Sequence, residues 1–427
     1  MKVFKFGGAA VKNAEAIQNV AAILEKYKNN KVLLVISAMG NTTDMLEELC
    51  DFYMTRDKER LIDKFLKIKD YHLSVISDLF GNSAEIYHKL VEETFDVFWN
   101  SLYNPPTSDY NYEYDRVVSF GEIISTKIIS AFLNFAGMSN KWLDARCVIK
   151  TDEHHRKADI NWEETISYVK QSVKLFKKFD LLVTQGFIGS TSDNVITTLG
   201  REGSDYSAAV LSYCFNAECL VIWKDVAGIF NADPKYFPHA EKLDSIDYKE
   251  AIELAYCGAN VIHPKTIKPL ENKKIPLFVK SFLQPEATGS MVVDTTHTAV
   301  KIPSYILKSN QALLSISAKD FSFIAEQKLV FILNVFDRFK VGINMVQNAS
   351  INFWVCIDND HYRLKSIKIE LEKEFYINCL TGLELITIRH YNEEIIKRTL
   401  CNNKPLLEQR SRHTAQFVVE RYIGRTF

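Results

Sequence analysis

The chain has 427 residues, of which 47% are hydrophobic and 25% are charged, and its formal net charge at pH 7 is −1. These proportions are typical of a soluble globular protein with two or three domains. The nearly balanced charge argues against a dedicated nucleic-acid or polyanion binder, so no nucleic-acid partner is expected.

The cysteines and the N-terminus indicate the compartment. The eight cysteines are scattered without a C-x-x-C pair, which predicts reduced thiols and neither a zinc site nor a disulfide framework. The N-terminus runs directly into a predicted strand, and no run of 18 apolar residues follows. We therefore expect a cytoplasmic protein with no membrane partner.

The first predicted elements are a strand, a glycine turn, a helix and a second strand. Val3 to Phe6 is a short strand, Asn13 to Lys28 has the apolar spacing of an amphipathic helix, and Val32 to Ile36 is apolar throughout. This order is a βαβ unit. Lys5, beside two glycines at the end of the first strand, is well placed to reach a phosphate, although a single lysine there is more often only a solvated charge.

A polar turn and a helical insertion follow the second strand. The turn Ser37 to Asp44 is rich in hydroxyl groups, and residues from about 44 to 105 have helical spacing with dense charges. Beyond this insertion, Glu122 begins a helix that extends to Phe135. An acid in the first turn of a helix is by default a stabiliser of the helix dipole, but it could equally present a carboxylate to a ligand ammonium.

The glycine turn from Gly200 to Gly203 is the stretch around which the chain is organised. Leu181 to Phe187 and Asn194 to Leu199 are predicted strands, and Ser204 to Phe215 is a predicted helix opened by a Ser/Asp cap. The glycines and the helix N-terminus favour an anion, and the guanidinium of Arg201 suits a carboxylate or a phosphate. An ordinary turn explains this stretch about equally well.

The alternation of strands and helices continues with a strand from Cys219 to Trp223 and predicts an α/β sandwich around a mostly parallel sheet. Six segments, in order, resemble the motifs of aspartokinases, within the amino-acid kinase superfamily: KFGGAAV (5–11), VISAMGNTTD (35–44), VVSFGE (117–122), GREGSDYSAA (200–209), VIWKDVAGIFNADP (221–234) and GANVIHPKT (258–266). The resemblance implies an amino-acid-kinase catalytic domain over residues 1–295, with a three-layer sandwich fold. It also implies phosphorylation of L-aspartate to 4-phospho-L-aspartate, the first step of lysine, threonine and methionine synthesis, with ATP and Mg²⁺.

The resemblance also implies roles for individual residues. Lys5 and the backbone of Gly7 and Gly8 would hold the phosphates of ATP, and Asp205 would organise the reacting groups through magnesium or Lys5. The residues expected to bind aspartate are Ser37, Thr43, Glu122, Arg201 and Ser204. The other residues expected at the nucleotide are Lys224, Asp225, Phe230, Lys235 and Asn260. No dedicated protein metal site is predicted.

The resemblance also implies which end of the substrate two of these side chains bind, and two positions depart from the family pattern. Arg201 would take a substrate carboxylate and Glu122 the substrate ammonium. Asn260 stands where a lysine is usual, and Phe230 stands where a tyrosine is common. Neither change removes a core catalytic group.

From about residue 300 the predicted order becomes β-α-β-β-α. The predicted elements are strand Leu313 to Ser317, helix Phe321 to Phe339, strands Ile343 to Val346 and Ile351 to Ile357, and helix Leu364 to Phe375. This order resembles an ACT module, although a purely structural α+β domain would show the same order. Residues Leu383 to Val419 resemble a shortened second module, so residues 305–427 are predicted to be a tandem ACT-like regulatory region.

The ACT resemblance implies an amino-acid effector and a homodimer formed through exposed strand edges. The effector pocket is expected within Phe321 to Val346. Asn344 stands in a turn where lysine-sensing relatives carry an aspartate, so an effector ammonium would lose its charge partner and a weak response to lysine is expected.

Two alternatives to the aspartate kinase stay open. One is another kinase of the superfamily that acts on glutamate, N-acetylglutamate or carbamate. The other is a catalytically silent amino-acid sensor, against which the intact Lys5, Glu122, Arg201 and Asp205 argue.

Overall fold

The structure is a computed structural model that describes residues 1–259, 262–294, 302–320, 322–401 and 403–421. The chain divides into two compact units. The first unit comprises Met1–Ile229, Leu243–Ile252 and Val261–Ala299, and the second comprises Phe230–Lys242, Glu253–Asn260 and Val300–Phe427. The predicted catalytic domain, residues 1–295, therefore contributes two segments to the second unit.

Strands and helices alternate up to residue 293. The strands are β1 (Lys2–Phe6), β2 (Val32–Ile36), β3 (Asn140–Leu143), β4 (Leu181–Gln185), β5 (Ile188–Ser190), β6 (Ile196–Thr198), β7 (Cys219–Lys224), β8 (Ile229–Phe230), β9 (Lys242–Leu243), β10 (Ser245–Asp247), β11 (Leu277–Ser281) and β12 (Ser290–Val293). The helices are α1 (Ala14–Glu25), α2 (Thr42–Met54), α3 (Lys58–Phe80), α4 (Ala84–Ser101), α5 (Tyr110–Val118), α6 (Phe120–Phe135), α7 (Trp162–Ser172), α8 (Gly203–Phe215), α9 (Tyr248–Cys257) and α10 (Pro264–Lys273).

The main sheet of the first unit has eight strands in the order β10-β12-β11-β7-β1-β2-β4-β3. All neighbouring pairs are parallel except β11 and β12. The predicted mostly parallel α/β sheet is therefore confirmed. β1 lies between β7 and β2, and Lys5 is in register with Ile222 and Val35. Because parallel strands end at the same edge, the loops that follow β1, β2, β4 and β7 meet there.

Apolar spacing explains the elements around this edge. Every residue of β2 is buried, as expected for a strand covered on both faces. Asn13 caps the N-terminus of α1, because its side chain accepts a hydrogen bond from the backbone N–H of Ala16, and the apolar stripe of the helix faces the core. Helices α2, α3 and α4 follow β2 and pack through a cluster of buried aromatic rings. That residues from about 44 to 105 are an insertion into the domain stays a prediction.

One helical stretch, Tyr110–Phe135, is long and apolar enough to cross a membrane by length and composition alone. However, 78% of its most apolar window is buried inside the protein. A core helix of a soluble protein passes the same test, so this stretch is weak support for a membrane span.

The described residues beyond 301 form one antiparallel sheet covered by helices. Its elements are β13 (Ser304–Ala318), α11 (Glu326–Arg338), β14 (Ile343–Asn348), β15 (Asn352–Asp358), α12 (His361–Leu371), β16 (Phe375–Arg389), α13 (Glu393–Leu400), β17 (Leu407–Arg410) and β18 (Thr414–Glu420). The strand order is β14-β15-β13-β16-β18-β17. The α+β architecture expected for ACT-like modules is confirmed, but β13 and β16 are much longer than the predicted strands.

The two predicted modules share these long strands. The register of β13 against β16 shifts between Lys308 and Leu313, and Asn310 there has a positive φ of 53°. Before this irregularity, residues 304–308 pair with residues 385–389, and beyond it residues 313–318 pair with residues 375–380. The first part of β13 thus completes the sheet of the second module.

Candidate active site

Two lysines converge on one buried aspartate at the carboxyl edge of the main sheet. Nζ of Lys5 lies 2.6 Å from Oδ1 of Asp205, and Nζ of Lys224 lies 3.5 Å from Oδ2. Lys5 comes from β1, and Lys224 is the last residue of the neighbouring strand β7. Burial alone would raise the pKa of Asp205, but the charges of Lys5 and Lys224 outweigh it and lower the pKa below its usual value. Asp205 is therefore a carboxylate at neutral pH.

Helix α8 places Asp205, but it does not begin as predicted. The residue before α8 is Glu202, in the left-handed conformation (φ 53°), and within the described part of the chain its side chain makes no capping hydrogen bond. The predicted Ser/Asp cap is wrong, because Ser204 and Asp205 lie inside the first turn. A Cβ on Gly186, in the loop after β4, would lie 2.6 Å from Cβ of Ser204, so glycine is needed for this close approach.

Glycines also let the loops after β1 and β2 touch. A Cβ on Gly8 would lie 2.8 Å from the carbonyl oxygen of Ala38 and 2.9 Å from that of Gly40. A Cβ on Gly7 would lie 3.4 Å from Nζ of Lys5. The close packing of backbone requires Gly8, and the contact of Gly7 and Gly8 with phosphates stays a prediction.

Glu122 is a fully buried carboxyl group in the first turn of α6. Its Oε1 accepts a hydrogen bond from the backbone N–H of Ala38 over 3.3 Å, and among the described residues Oε2 has no hydrogen-bond partner. Burial raises the pKa of Glu122 to about 8, although this backbone bond and the charge of Lys5 oppose the shift. A buried oxygen without a partner is costly, so a ligand that carries a donor would stabilise it.

Of the predicted hydroxyl residues, Ser37 lies beside the helix of Glu122, and Ser204 precedes Asp205 in α8. The hydroxyl of Ser125, one turn after Glu122, donates to the carbonyl of Ser37 over 2.8 Å and holds α6 against the loop after β2. Ser37 and Thr43 are half-buried, and Ser204 is buried next to Asp205. Their contact with a substrate stays a prediction.

The remaining predicted residues lie in less buried or undescribed parts of the chain. Arg201 is exposed in the turn before α8, and Asp225 is exposed after β7. Half-buried Phe230 and exposed Lys235 belong to the second unit. Asn260 lies outside the described residues. The roles of these residues stay predictions.

Sequence reasoning missed two side chains near this edge. The hydroxyl of Tyr71, on α3 of the insertion, donates to the carbonyl of Lys12 over 2.5 Å, and it would lie 2.9 Å from a Cβ on Gly40. Asp115 on α5 is fully buried and accepts hydrogen bonds from a distant loop. The pattern of a helical insertion indicates only which faces are apolar, so it gave no signal for Tyr71. Asp115 lies in the polar and aromatic sequence of α5, which likewise gave no signal that its carboxylate is buried.

In the part of the chain that the structure describes, no group of three or more His, Cys, Asp or Glu side chains could hold a metal ion by itself. Mg²⁺ at phosphate-transfer sites is commonly bound by one or two carboxylates together with the phosphates of the substrate. Asp205 could supply one such oxygen, but both of its oxygens already face ammonium groups, so the phosphates would have to supply most of the ligands.

This fold and this site define a class: α/β proteins with a lysine-rich site at the carboxyl ends of parallel strands. The chain belongs to the amino acid kinase family, whose profile it matches over residues 1–281.

Individual relatives agree with this family. The chain is 28% identical to lysine-sensitive aspartokinase 3 of Escherichia coli (strain K12), over 90% of this chain and 86% of that protein. It is 29% identical to the chloroplastic bifunctional aspartokinase/homoserine dehydrogenase 1 of Arabidopsis thaliana, over 87% of this chain and 42% of that protein. This chain therefore spans less than half of the bifunctional protein. The crystal structure of E. coli aspartokinase III with aspartate and ADP in its R-state matches with a TM-score of 0.83 at 25% identity, covering 98% of this chain and 96% of that one.

Proposed function

We propose that this chain is an ATP-dependent L-aspartate kinase that forms 4-phospho-L-aspartate. The observation that carries the proposal is the pairing of buried Asp205 with buried Lys5 and half-buried Lys224. This pairing offers two positive charges against one negative charge. Among the described residues, Oε2 of Glu122 has no hydrogen-bond partner, and the charge of Lys5 influences the pKa of this carboxyl group. The names of the relatives, which are aspartokinases, support the choice of substrate.

In this proposal Lys5 and Lys224 hold the phosphates of the nucleotide, and the backbone of Gly7 and Gly8 lies beside these phosphates. ATP with Mg²⁺ supplies the phosphoryl group and a divalent charge that shields the phosphates. Asp205 keeps the ammonium of Lys5 in place, and its carboxylate is the kind of oxygen ligand that Mg²⁺ prefers. Phe230, Lys235 and Asn260 are proposed to frame the rest of the nucleotide.

Aspartate is proposed to bind between Glu122 and Arg201. The carboxylate of Glu122 takes the substrate ammonium, and the guanidinium of Arg201 takes a substrate carboxylate as a fork of two donors. The hydroxyl groups of Ser37, Thr43 and Ser204 complete the site. Ionic contacts at both ends of a small substrate fix its orientation.

The chemistry needs no general base, because the acceptor carboxylate is already ionised at pH 7. A carboxylate oxygen forms a bond to the γ-phosphorus, the bond from that phosphorus to the bridging oxygen breaks, and ADP leaves with the electron pair. Two anions must approach each other in this step. Lys5 and Lys224 supply positive charge in a site where burial strengthens its effect.

Trapping the acyl phosphate with hydroxylamine tests the proposal. The full chain is incubated with ATP, Mg²⁺, hydroxylamine and one acid at a time: L-aspartate, L-glutamate or N-acetyl-L-glutamate. We expect a hydroxamate from L-aspartate only. A hydroxamate from another acid would support a different kinase of the superfamily, and no product from any acid would support the silent sensor.

Regulation, assembly and location are further parts of the proposal. The second unit is proposed to bind an amino-acid effector and to pair two copies of the chain into a homodimer in the cytoplasm, with no nucleic-acid or membrane partner. Nζ of Lys308 donates to Oδ1 of Asn344 over 2.8 Å, so a cation of the protein itself already contacts this side chain. This contact supports a weak response to lysine.

A further inference from the structure

Asp115 is a fully buried carboxylate that fixes a loop distant in sequence. Oδ1 accepts a hydrogen bond from the hydroxyl of Thr198 over 2.6 Å, and Oδ2 accepts one from Nδ1 of His155 over 2.8 Å. The backbone N–H of Arg156 lies 3.1 Å from both oxygens. One side chain of α5 therefore holds the last residue of β6 and two consecutive residues of the loop 152–159.

The loop 152–159 in turn supports the turn that carries Arg201. A Cβ on Gly200 would lie 2.9 Å from the carbonyl oxygen of Arg156, so the two backbones are in close contact. Gly200 has a φ of 78° and Arg156 a φ of 65°, both in the left-handed region. The backbone N–H of Ala158 donates to the carbonyl of Thr198 over 3.0 Å. The only residue between Thr198 and Gly200 is Leu199, so the loop is fixed directly beneath the turn.

A left-handed conformation at Arg156 costs energy, because the Cβ atom crowds the neighbouring backbone there, and glycine has no Cβ atom. Two contacts offset this cost. The backbone N–H of Arg156 points at the carboxylate of Asp115, and its guanidinium lies 4.3 Å from the centre of the Tyr114 ring. Both contacts come from α5. The backbone conformation that meets Gly200 therefore depends on this helix.

We infer that Asp115, with His155, is a positioning residue: it fixes the loop 152–159 and thereby the turn that presents Arg201 to the carboxylate of the amino-acid substrate. This inference rests on the proposed function, because it takes Arg201 as the ligand of the substrate. Asp115 itself does not contact the substrate. A ligand displaced by about 1 Å can cost up to a hundredfold in rate, so an exposed arginine at the tip of a turn needs such support.

The alternative is that Asp115 only stabilises the fold, as most buried carboxylates with several donors do. Glu113 provides the matched control. It lies on the same helix, is 2% exposed, and accepts hydrogen bonds from the backbone N–H of Thr107 and from Arg116, away from the turn of Arg201. The variants Asp115→Asn and Glu113→Gln make the same chemical change within one helix. They differ in whether the carboxylate supports the loop.

Steady-state kinetics give the first readout. We expect Asp115→Asn to raise the aspartate KM about tenfold with little change in the ATP KM, and Glu113→Gln to change neither by more than about twofold. In an Arg201→Ala background, Asp115→Asn should add no further increase, because it acts through Arg201. Equal effects of the two amide variants, or additive effects of Asp115→Asn and Arg201→Ala, would overturn the inference.

Limited trypsin digestion gives a readout that does not depend on the substrate. Arg156, Lys157 and Arg201 are exposed cleavage points in the loop and the turn. We expect Asp115→Asn to be cut there several-fold faster than the wild type or Glu113→Gln, because cleavage follows local opening. Unchanged cleavage would overturn the inference. If the wild type does not phosphorylate aspartate, the proposed function fails, and the digestion still decides whether Asp115 holds the loop.

Discussion

Nζ of Lys5 lies 2.6 Å from Oδ1 of Asp205, and the other oxygen of that carboxylate faces Nζ of Lys224 at 3.5 Å. One negative charge thus faces two positive charges, which leaves the group with a net charge of +1. Asp205 is 3% exposed, so little water screens these charges. A site of this kind attracts an anion and still keeps both ammonium groups in fixed positions.

The first prediction concerns Lys5. The variant Lys5→Met keeps the length of the side chain but removes the charge that stabilises the transferring phosphoryl group. We expect kcat to fall about a hundredfold or more, as for the loss of one preorganised charged donor. Asp205→Asn should have an effect of similar size, because Lys5 loses the partner that orients it. The hydroxamate assay measures the kcat of both variants.

Lys2→Met is the matched control, since Lys2 lies on the same strand but pairs with the exposed Glu218 at 3.3 Å. Its kcat should stay within about twofold of the wild type, because exposed ion pairs contribute little. Circular dichroism of each variant shows whether the fold is kept. Near-normal turnover of a folded Lys5→Met protein would contradict the proposed role.

Glu122 predicts a pH dependence. Its pKa is about 8 because it is buried, so below pH 8 most of the free enzyme carries a protonated Glu122 that cannot pair with an ammonium. The value of kcat/KM for aspartate should therefore rise about eightfold between pH 6.5 and pH 7.5 and level off only above about pH 9. Glu122→Gln should abolish this rise. A wild-type profile that is flat across this range would rule out Glu122 as the ammonium ligand.

The same titration affects the stability of the ligand-free protein. The pKa of Glu122 is raised from 4.5 in the unfolded chain to about 8 in the folded protein. Protonated Glu122 therefore contributes its full stabilisation below pH 4.5, and this stabilisation is lost as the pH rises through about 8. The Tm of the wild type should fall between pH 5 and pH 8 more than that of Glu122→Gln. Parallel Tm profiles of the two proteins would contradict this assignment.

Most of the main fold could be predicted from the sequence, because strand and helix periods are local properties. The predicted strand Val32 to Ile36 has the same bounds as β2. The start of α8 could not be predicted, since Glu202 adopts a left-handed conformation that neither its own propensity nor its neighbours indicate. Tertiary packing of Ser204 against Gly186 determines that turn.

The extent of β13 could not be predicted for a similar reason. The polar residues from Lys308 to Asn310 interrupt the apolar alternation, so only Leu313 to Ser317 resembled a strand. In the structure a register shift accommodates this interruption, and pairing with β16 extends the strand back to Ser304.

In the candidate site, Lys5, Glu122 and Asp205 were indicated by motifs, whereas Asp115 depends on contacts made far along the chain.

Lys308 gives a prediction about effector response. Its ammonium contacts Asn344, whose amide nitrogen donates to Asp358 over 2.9 Å. In the variant Asn344→Asp, the new carboxylate should pair with Lys308 and not with an effector. We therefore expect this single variant to respond to lysine no more strongly than the wild type. Inhibition curves with L-lysine measure the response.

The double variant Lys308→Met/Asn344→Asp removes the internal cation and leaves the new carboxylate available. We expect its concentration for half-maximal inhibition by lysine to be at least about tenfold lower than that of Asn344→Asp, within the usual range of coupling energies. Lys308→Met alone is the control. If Asn344→Asp alone became as sensitive as the double variant, Lys308 would not compete with the effector.

The last prediction concerns the homodimer and the edges of the six-stranded sheet. β14 and β17 are the two outer strands, and an outer strand presents backbone groups that pair readily with another copy. The proposed effector region includes β14, so we expect two β14 strands to meet at the dimer axis. Val346 on β14 is 38% exposed. The variant Val346→Lys would bring two like charges close together there, and sedimentation velocity should show a wild-type dimer and a largely monomeric variant.

Gln409→Lys places the same charge on β17, the opposite edge, and should remain dimeric. A monomeric wild type would contradict the dimer itself, and loss of the dimer only in Gln409→Lys would move the interface to β17.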